Sequence, residues 1–244
     1  MITTSIIILL TVVCVVTYAF EITFGLAGTI IMLAVMTPFV DPKILVIYSI
    51  LPQLLVATIG LSRSPKTVDL KVLFGMVGVA ALGSLCGFYI FYALPSDSFK
   101  ILLAAAITLS GLYLVAKPGR VKLNQTIARG LDFIGGISQA VFGISGPIAM
   151  TRLMSTHTDK MVIRNYALAF FLSLNLFRGG NYIIYGDISD DILKMMLISA
   201  PVLAISLWYS NHLHFKVSDG IFKTVVSWVI LFGGVSLFFT GNAA

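Results

Sequence analysis

The stretch FGISGPIAM, Phe142 to Met150, lies inside a long apolar run yet carries two glycines, a serine and a proline. Such residues punctuate a helix rather than extend it. The stretch FGLAGTIIM, Phe24 to Met32, repeats the pattern 118 residues earlier. At that displacement Gly25 pairs with Gly143, Gly28 with Gly146, Met32 with Met150, Asp41 with Asp159, Tyr48 with Tyr166 and Asp69 with Asp187, while Glu21 falls on Gln139. Two hydrophobic chains coincide at leucine and isoleucine by chance. Glycines, aspartates and a tyrosine in one register point instead to an internal duplication.

The surroundings of the two stretches decide the class. Charged residues make up 11 % of the chain and hydrophobic residues 58 %, with a mean hydropathy of +1.01, against roughly 25 % charged in a soluble domain. Runs such as VLFGMVGVAALGSLCGFYIFYALP approach or exceed the roughly 20 apolar residues of a spanning helix, whereas a membrane barrel would show short alternating strands. The expected fold is therefore all-α and polytopic. Apolar segments run at about 4–20, 22–40, 44–61, 70–93 and 99–116, and again at about 126–142, 144–155, 161–185, 192–212 and 221–240. We expect one membrane domain over 1–244, built of repeat 1 (about 4–117) and repeat 2 (about 126–241). The first segment lacks a basic n-region and a small-residue cleavage site, so it reads as a mature helix. Cys14 and Cys86 sit inside apolar runs and read as small hydrophobes.

Charge orients the halves. Lysine and arginine concentrate in SRSPKTVDLK and KPGRVKLNQTIARG, while GDISDD carries only acids. The positive-inside rule makes the two basic loops cytoplasmic and leaves both termini outside. SRSPKTVDLK and GDISDD hold equivalent positions in the two halves yet differ in charge. An odd number of crossings per half explains this, and the duplication then forms two inverted repeats of about five helical segments each, an architecture common in secondary transporters. The formal charge of +6 lies between helices rather than on a soluble face, so no nucleic-acid partner is expected.

In lipid, a broken helix is tolerated only where protein or a water-filled cavity surrounds it. The two breaks therefore belong inside. Gly25, Gly28, Gly143 and Gly146 let the chain turn, Pro147 suits the first turn of the following helix and Ser145 is placed to cap it. Two helix N-termini, each with free N–H groups and about half a positive charge, would then form an anion site. The alternative for these glycines is close helix packing of the small-xxx-small kind.

GGISQAVFGISGPIAMTRLM resembles the second signature of the TauE/SafE family of sulfite and organosulfonate permeases, in which a glycine-rich G-x-x-G-P break opens each half. The first break, FGLAGTIIM, lacks the glycine run usual after Gly28, and its proline, Pro38, comes late. The resemblance implies a secondary transporter of a small sulfur-containing anion, working by alternating access in the cytoplasmic membrane, with a site built from both breaks. The alternatives are a permease for another small carboxylate or inorganic anion, and a non-transporting membrane subunit of a larger assembly.

Polar residues in the apolar runs supply the remaining candidates. Arg178 would cost roughly 2.5–3.5 kcal/mol deep in a bilayer, so something must compensate it. A guanidinium offers a bidentate grip on an oxyanion; the alternatives are snorkelling or pairing with an acid such as Glu21. Asn175 lies three residues earlier on the same helical face. Gln139 and Ser145 flank the second break, and Tyr48 and Tyr166 form a symmetric pair. Glu21 directly precedes the first break, where a carboxyl in apolar surroundings could carry a proton with the anion; the alternative is a solvated acid. Arg152 and Arg164 flank the loop after the second break and read as topology anchors, with anion steering as a secondary role. His212 and His214 have no third ligand nearby in sequence, and no nucleotide-binding or nucleophile-elbow motif appears. The sequence therefore predicts no enzyme, metal or cofactor; the expected partners are a small anion, the bilayer and, where it forms, a second copy of the chain.

Overall fold

The apolar segments become helices wherever the computed structural model describes the chain, that is over residues 4–24, 27–62, 67–116, 122–213 and 219–239. The first half of the chain holds α1 (Thr4–Phe24), α2 (Gly28–Met36), α3 (Pro42–Tyr48), α4 (Ile50–Ser62), α5 (Leu70–Ala93) and α6 (Ser96–Ala116). The second half holds α7 (Gln125–Phe142), α8 (Gly146–Met154), α9 (Lys160–Tyr185), α10 (Asp190–Leu213) and α11 (Asp219–Phe239). No strand occurs among the described residues. Among the described residues, six spans are long and apolar enough to cross a membrane: α1, the continuous α3–α4 rod, α5, α6, α9 and α10.

Side chains matched by the 118-residue register start equivalent helices. Asp41 Oδ1 accepts the amides of Lys43 and Ile44 at 2.8 and 3.4 Å and opens α3. Asp159 Oδ1 does the same for Met161 and Val162 at 2.8 and 3.0 Å and opens α9. Asp69 caps α5 through the Lys71 amide. Where the sequence suggests one segment over 22–40, the chain makes a long α1, a turn and a short α2. The turn rests on Ala27, which holds a left-handed backbone (φ 86°, ψ −16°). Pro38, which disfavours helix in the residue before it, ends α2 near Thr37.

The α2 and α8 helices have nine residues each, or about 14 Å, half of a ~30 Å hydrocarbon core. Each folds back on the long helix before it. A Cβ on Gly28 would lie 2.6–2.8 Å from Glu21 and the Thr17 carbonyl of α1, so this contact requires glycine.

The helices pair reciprocally. α5 packs on α7 as its equivalent α10 packs on α1, α4 lies against α9, and α6 lies against α11. In the antiparallel α3–α4/α9 contact, Arg178 reaches the Val46 carbonyl at 2.8 Å, while Arg164 lies beside Gly60. Residues 46 and 164 are equivalent in register, as are 60 and 178, so the two contacts exchange under the duplication.

Candidate functional site

The two breaks meet. Their junction is a chain of hydrogen bonds among side chains that are each at most 5 % exposed. Glu21 Oε2, at the end of α1, accepts the Thr29 amide at 3.0 Å and the Thr29 hydroxyl at 3.4 Å. The Thr29 oxygen also lies 3.1 Å from the Tyr18 hydroxyl and receives a bond from Gln53 Nε2. Gln53, on α4, reaches across to repeat 2: its Nε2 donates to the Gly143 carbonyl at 2.8 Å and its Oε1 accepts from Gln139 Nε2 at 2.9 Å. Gln139 Oε1 in turn accepts the Ser145 hydroxyl at 2.7 Å. Gln53 thus ties the start of α2 to the end of α7.

This network walls a cavity of about 20 Å³, also faced by Gly143, Gly146 and Phe171. A space of that size holds about one water. Three pairs in its wall match in the 118-residue register: Glu21 and Gln139, Ala27 and Ser145, and Gln53 and Phe171.

Arg178 and Asn175 stand directly behind the wall rather than in it. Arg178 is fully buried. Its Nη1 donates to Asn175 Oδ1 at 2.9 Å and, at the long limit of 3.5 Å, to Gln53 Oε1; its Nη2 donates to the Val46 carbonyl at 2.8 Å and Ser49 Oγ at 3.4 Å. The guanidinium carbon lies 5.9 Å from the centre of the Tyr182 ring. All its acceptors are neutral, so Arg178 does not pair with Glu21, and its Nε has no acceptor. Asn175 Oδ1 also accepts from Gln139 at 3.2 Å, and Asn175 Nδ2 is engaged by the Phe171 carbonyl. The guanidinium therefore supplies a fixed positive charge to the cavity through Gln53 and Asn175.

Gly143 takes its place through its backbone. It ends α7 in the left-handed region (φ 69°), and a Cβ there would approach the Arg178 nitrogens to 3.1–3.2 Å. Ser145 stands at the N-cap of α8 with Pro147 in the first turn, but its hydroxyl makes no capping bond. It is turned to Gln139 instead, which leaves the first α8 amides without that partner. The two helix starts consequently differ. At α2 the protein's own carboxylate, Glu21, already occupies the Thr29 amide; at α8 no carboxylate does so among the described residues.

The other sequence candidates fall elsewhere. Gly25 lies outside the described residues, as does His214. Tyr48 donates to Ser199 at 2.8 Å, and Tyr166 accepts the Asp69 amide at 2.9 Å while stacking on His157; neither contributes to the cavity wall. Arg164 is turned into the protein rather than to solvent. It is buried and donates through Nε and Nη2 to the Ile22 carbonyl at 3.1 and 2.9 Å, bracing the end of α1. Sequence reasoning passed over Gln53 and Thr29. The available signal for Gln53 was a lone amide directly after Pro52 in the otherwise apolar ILPQLLVATIG.

Compared with known proteins, the chain matches the family model for the sulfite exporter TauE/SafE over residues 9–237. No curated protein and no solved structure matches it.

Proposed function

Because the chain belongs to the sulfite exporter TauE/SafE family, a family of multi-pass membrane transporters, we propose that it moves a small sulfur-containing anion, sulfite or an organosulfonate, across the cytoplasmic membrane by alternating access. The observation that carries this reading is the cavity closed between the two breaks, with a helix start and a buried guanidinium aimed toward it. The α8 amides and the Ser145, Gln139 and Gln53 side chains supply donors, and Arg178 supplies charge from behind. This suits an anion with several oxygens.

At about 20 Å³ the cavity holds a water but not a four-heavy-atom anion. Binding requires the breaks to part, and the bonds of Gln53 to Thr29 and Gly143 are those that must open. The single domain is read as two inverted repeats, with α1–α2 and α7–α8 entering as hairpins from opposite faces and both termini outside. The exchange of Val46–Arg178 for Gly60–Arg164 supports this reading.

Glu21 shares the cavity with the anion. Two unit charges about 4 Å apart repel by about 4 kcal/mol at an effective dielectric of about 20, so an anion and an ionised Glu21 exclude one another. Protonation of Glu21 would admit the anion and free the Thr29 amide to bind it, coupling the anion to a proton.

The experiment is a ligand panel on purified protein followed by flux in liposomes. Sulfite or a sulfonate should raise the melting temperature, because a ligand at a hundred times its dissociation constant adds about 2.7 kcal/mol; chloride should not. Gln139→Leu should abolish both the shift and the flux. Stabilisation by acetate or phosphate instead would reassign the substrate, and no response to any anion would sink the transporter reading.

A further inference from the structure

A second basic site lies outside the central cavity, where α5 and α7 begin side by side. A crevice of about 250 Å³ opens there between their first turns, with Arg152 of α8 at its base. Lys71 and Arg129 stand at its rim, and Asp132 faces Arg152 from the α7 side. Three cationic side chains thus converge against one carboxylate.

That carboxylate does not satisfy Arg152. The closest approach is 3.5 Å from Nε to Asp132 Oδ2, with side chains 14 % and 4 % exposed, and the buried Nε has no hydrogen-bond partner. A guanidinium carries five N–H donors, and leaving the Nε donor unmet in a buried place is costly. The crevice also receives the start of α7, capped only by the neutral Asn124 and so favouring negative charge. These observations call for an anion with several acceptor oxygens.

The remaining wall says what carries that anion. Val72, Gly75 and Val79 line the crevice along α5. Val72 is 41 % exposed, and a Cβ added to Gly75, or to Gly78 one turn further, would meet nothing within 4 Å. The crevice therefore continues as an open apolar groove on the outer surface of α5, next to exposed Phe74 and Leu82. A free oxyanion has no use for such a groove; an acyl chain does. We propose that the crevice between α5 and α7 binds an anionic phospholipid, its phosphate held by Arg152, Arg129 and Lys71 and one acyl chain lying over Gly75 and Gly78. The basic loops put these helix starts on the cytoplasmic side, where anionic lipids attract basic groups.

The test is a titration of detergent-purified protein with short-chain phosphatidylglycerol, phosphatidylcholine or inorganic phosphate, read as melting temperature. Phosphatidylglycerol should bind the wild type at least about tenfold more tightly than phosphatidylcholine, and inorganic phosphate should give no shift at the same concentration. Arg152→Gln should remove the preference. Should that variant fold poorly, Arg129→Gln at the exposed rim should weaken phosphatidylglycerol by several fold, and Gly75→Leu, which fills the groove and leaves every charge in place, should do the same. Equal shifts by the two lipids, an unchanged preference in both Arg129→Gln and Gly75→Leu, or a shift by phosphate alone that matches the lipid would each overturn the assignment. The readout does not use the transported anion, so it stands or falls independently of the central site.

Discussion

At the residue scale, the site is set by polar side chains that apolar sequence context makes conspicuous, and by one backbone that it does not. Ala27 holds a left-handed conformation (φ 86°), which costs an L-residue roughly 1–2 kcal/mol. Ala27→Gly should relieve that strain and, after the extra chain entropy of glycine, stabilise the protein by roughly 0.5–1 kcal/mol, seen as a higher melting temperature. A lower one would mean that the turn is not strained. Glu21 gives a second test at this scale. A sulfonate keeps one charge across neutral pH, so any pH dependence of its binding belongs to the protein. In the wild type, binding should strengthen as pH falls, because the protonated carboxyl no longer repels the anion; in Glu21→Gln it should stay strong and nearly flat with pH. Calorimetric titration would settle the sign, and a wild type that binds better at high pH would remove Glu21 from the coupling. Gln53→Leu severs its bonds to Thr29, Gly143 and Gln139 and leaves the Gly143 carbonyl without its partner. It should cost about 1–3 kcal/mol and lower flux at least about tenfold. Of these three residues, Glu21 was legible in the sequence because it adjoins a break; Gln53 was not, since its partners lie up to 125 residues away. The Ala27 conformation is fixed by how α2 folds back on α1, which no local pattern encodes.

At the element scale, close helix contact sorts the glycines into two kinds. A Cβ on Gly136 of α7 would lie 1.9 Å from the Ala80 carbonyl of α5, and one on Gly83 of α5 would lie 2.0 Å from the Phe133 carbonyl of α7. The two backbones touch there, so the packing role of small residues holds between α5 and α7 as it does for Gly28 between α2 and α1. Gly136→Ala should push the helices apart and destabilise the protein by about 3 kcal/mol or more. Gly130→Ala in the same helix meets nothing within 4 Å and should be neutral or stabilising by up to about 1 kcal/mol. Thermal unfolding of the pair separates the effects, and equal losses would refute the contact. Most helices were legible because long apolar runs bounded by Asp41, Asp69 and Asp159 declare their own starts. The segment 22–40 was misjudged because α1 and the turn after it are equally apolar, so hydropathy does not see the break; only the glycines and Pro38 mark it.

At the scale of the whole molecule, the duplication links the geometry to the proposed cycle. Residues matched in the register make exchanged contacts on α3–α4 and α9, and three matched pairs line one cavity. In the proposed cycle two related conformations open to opposite sides, because whatever lets one hairpin tilt away from Gln53 has a counterpart in the other half. The register made the repeat visible in the sequence. Its handedness across the membrane rests on charge alone, and that is where it is most exposed to test. Asp97 begins α6 and Asp190 begins α10, whereas Gln125 begins α7 beside the basic loop. If each half crosses an odd number of times, Asp97→Cys and Asp190→Cys should react with a membrane-impermeant thiol reagent in intact cells, and Gln125→Cys only after the cells are opened. Native Cys14 is buried and Cys86 exposed, so the labelling is read against a Cys86→Ala background. Asp97 and Gln125 sit at opposite ends of a single intervening crossing, α6. Labelling of both from the same side would therefore leave α6 without a crossing and rule out an inverted pair of repeats, whatever anion the protein carries.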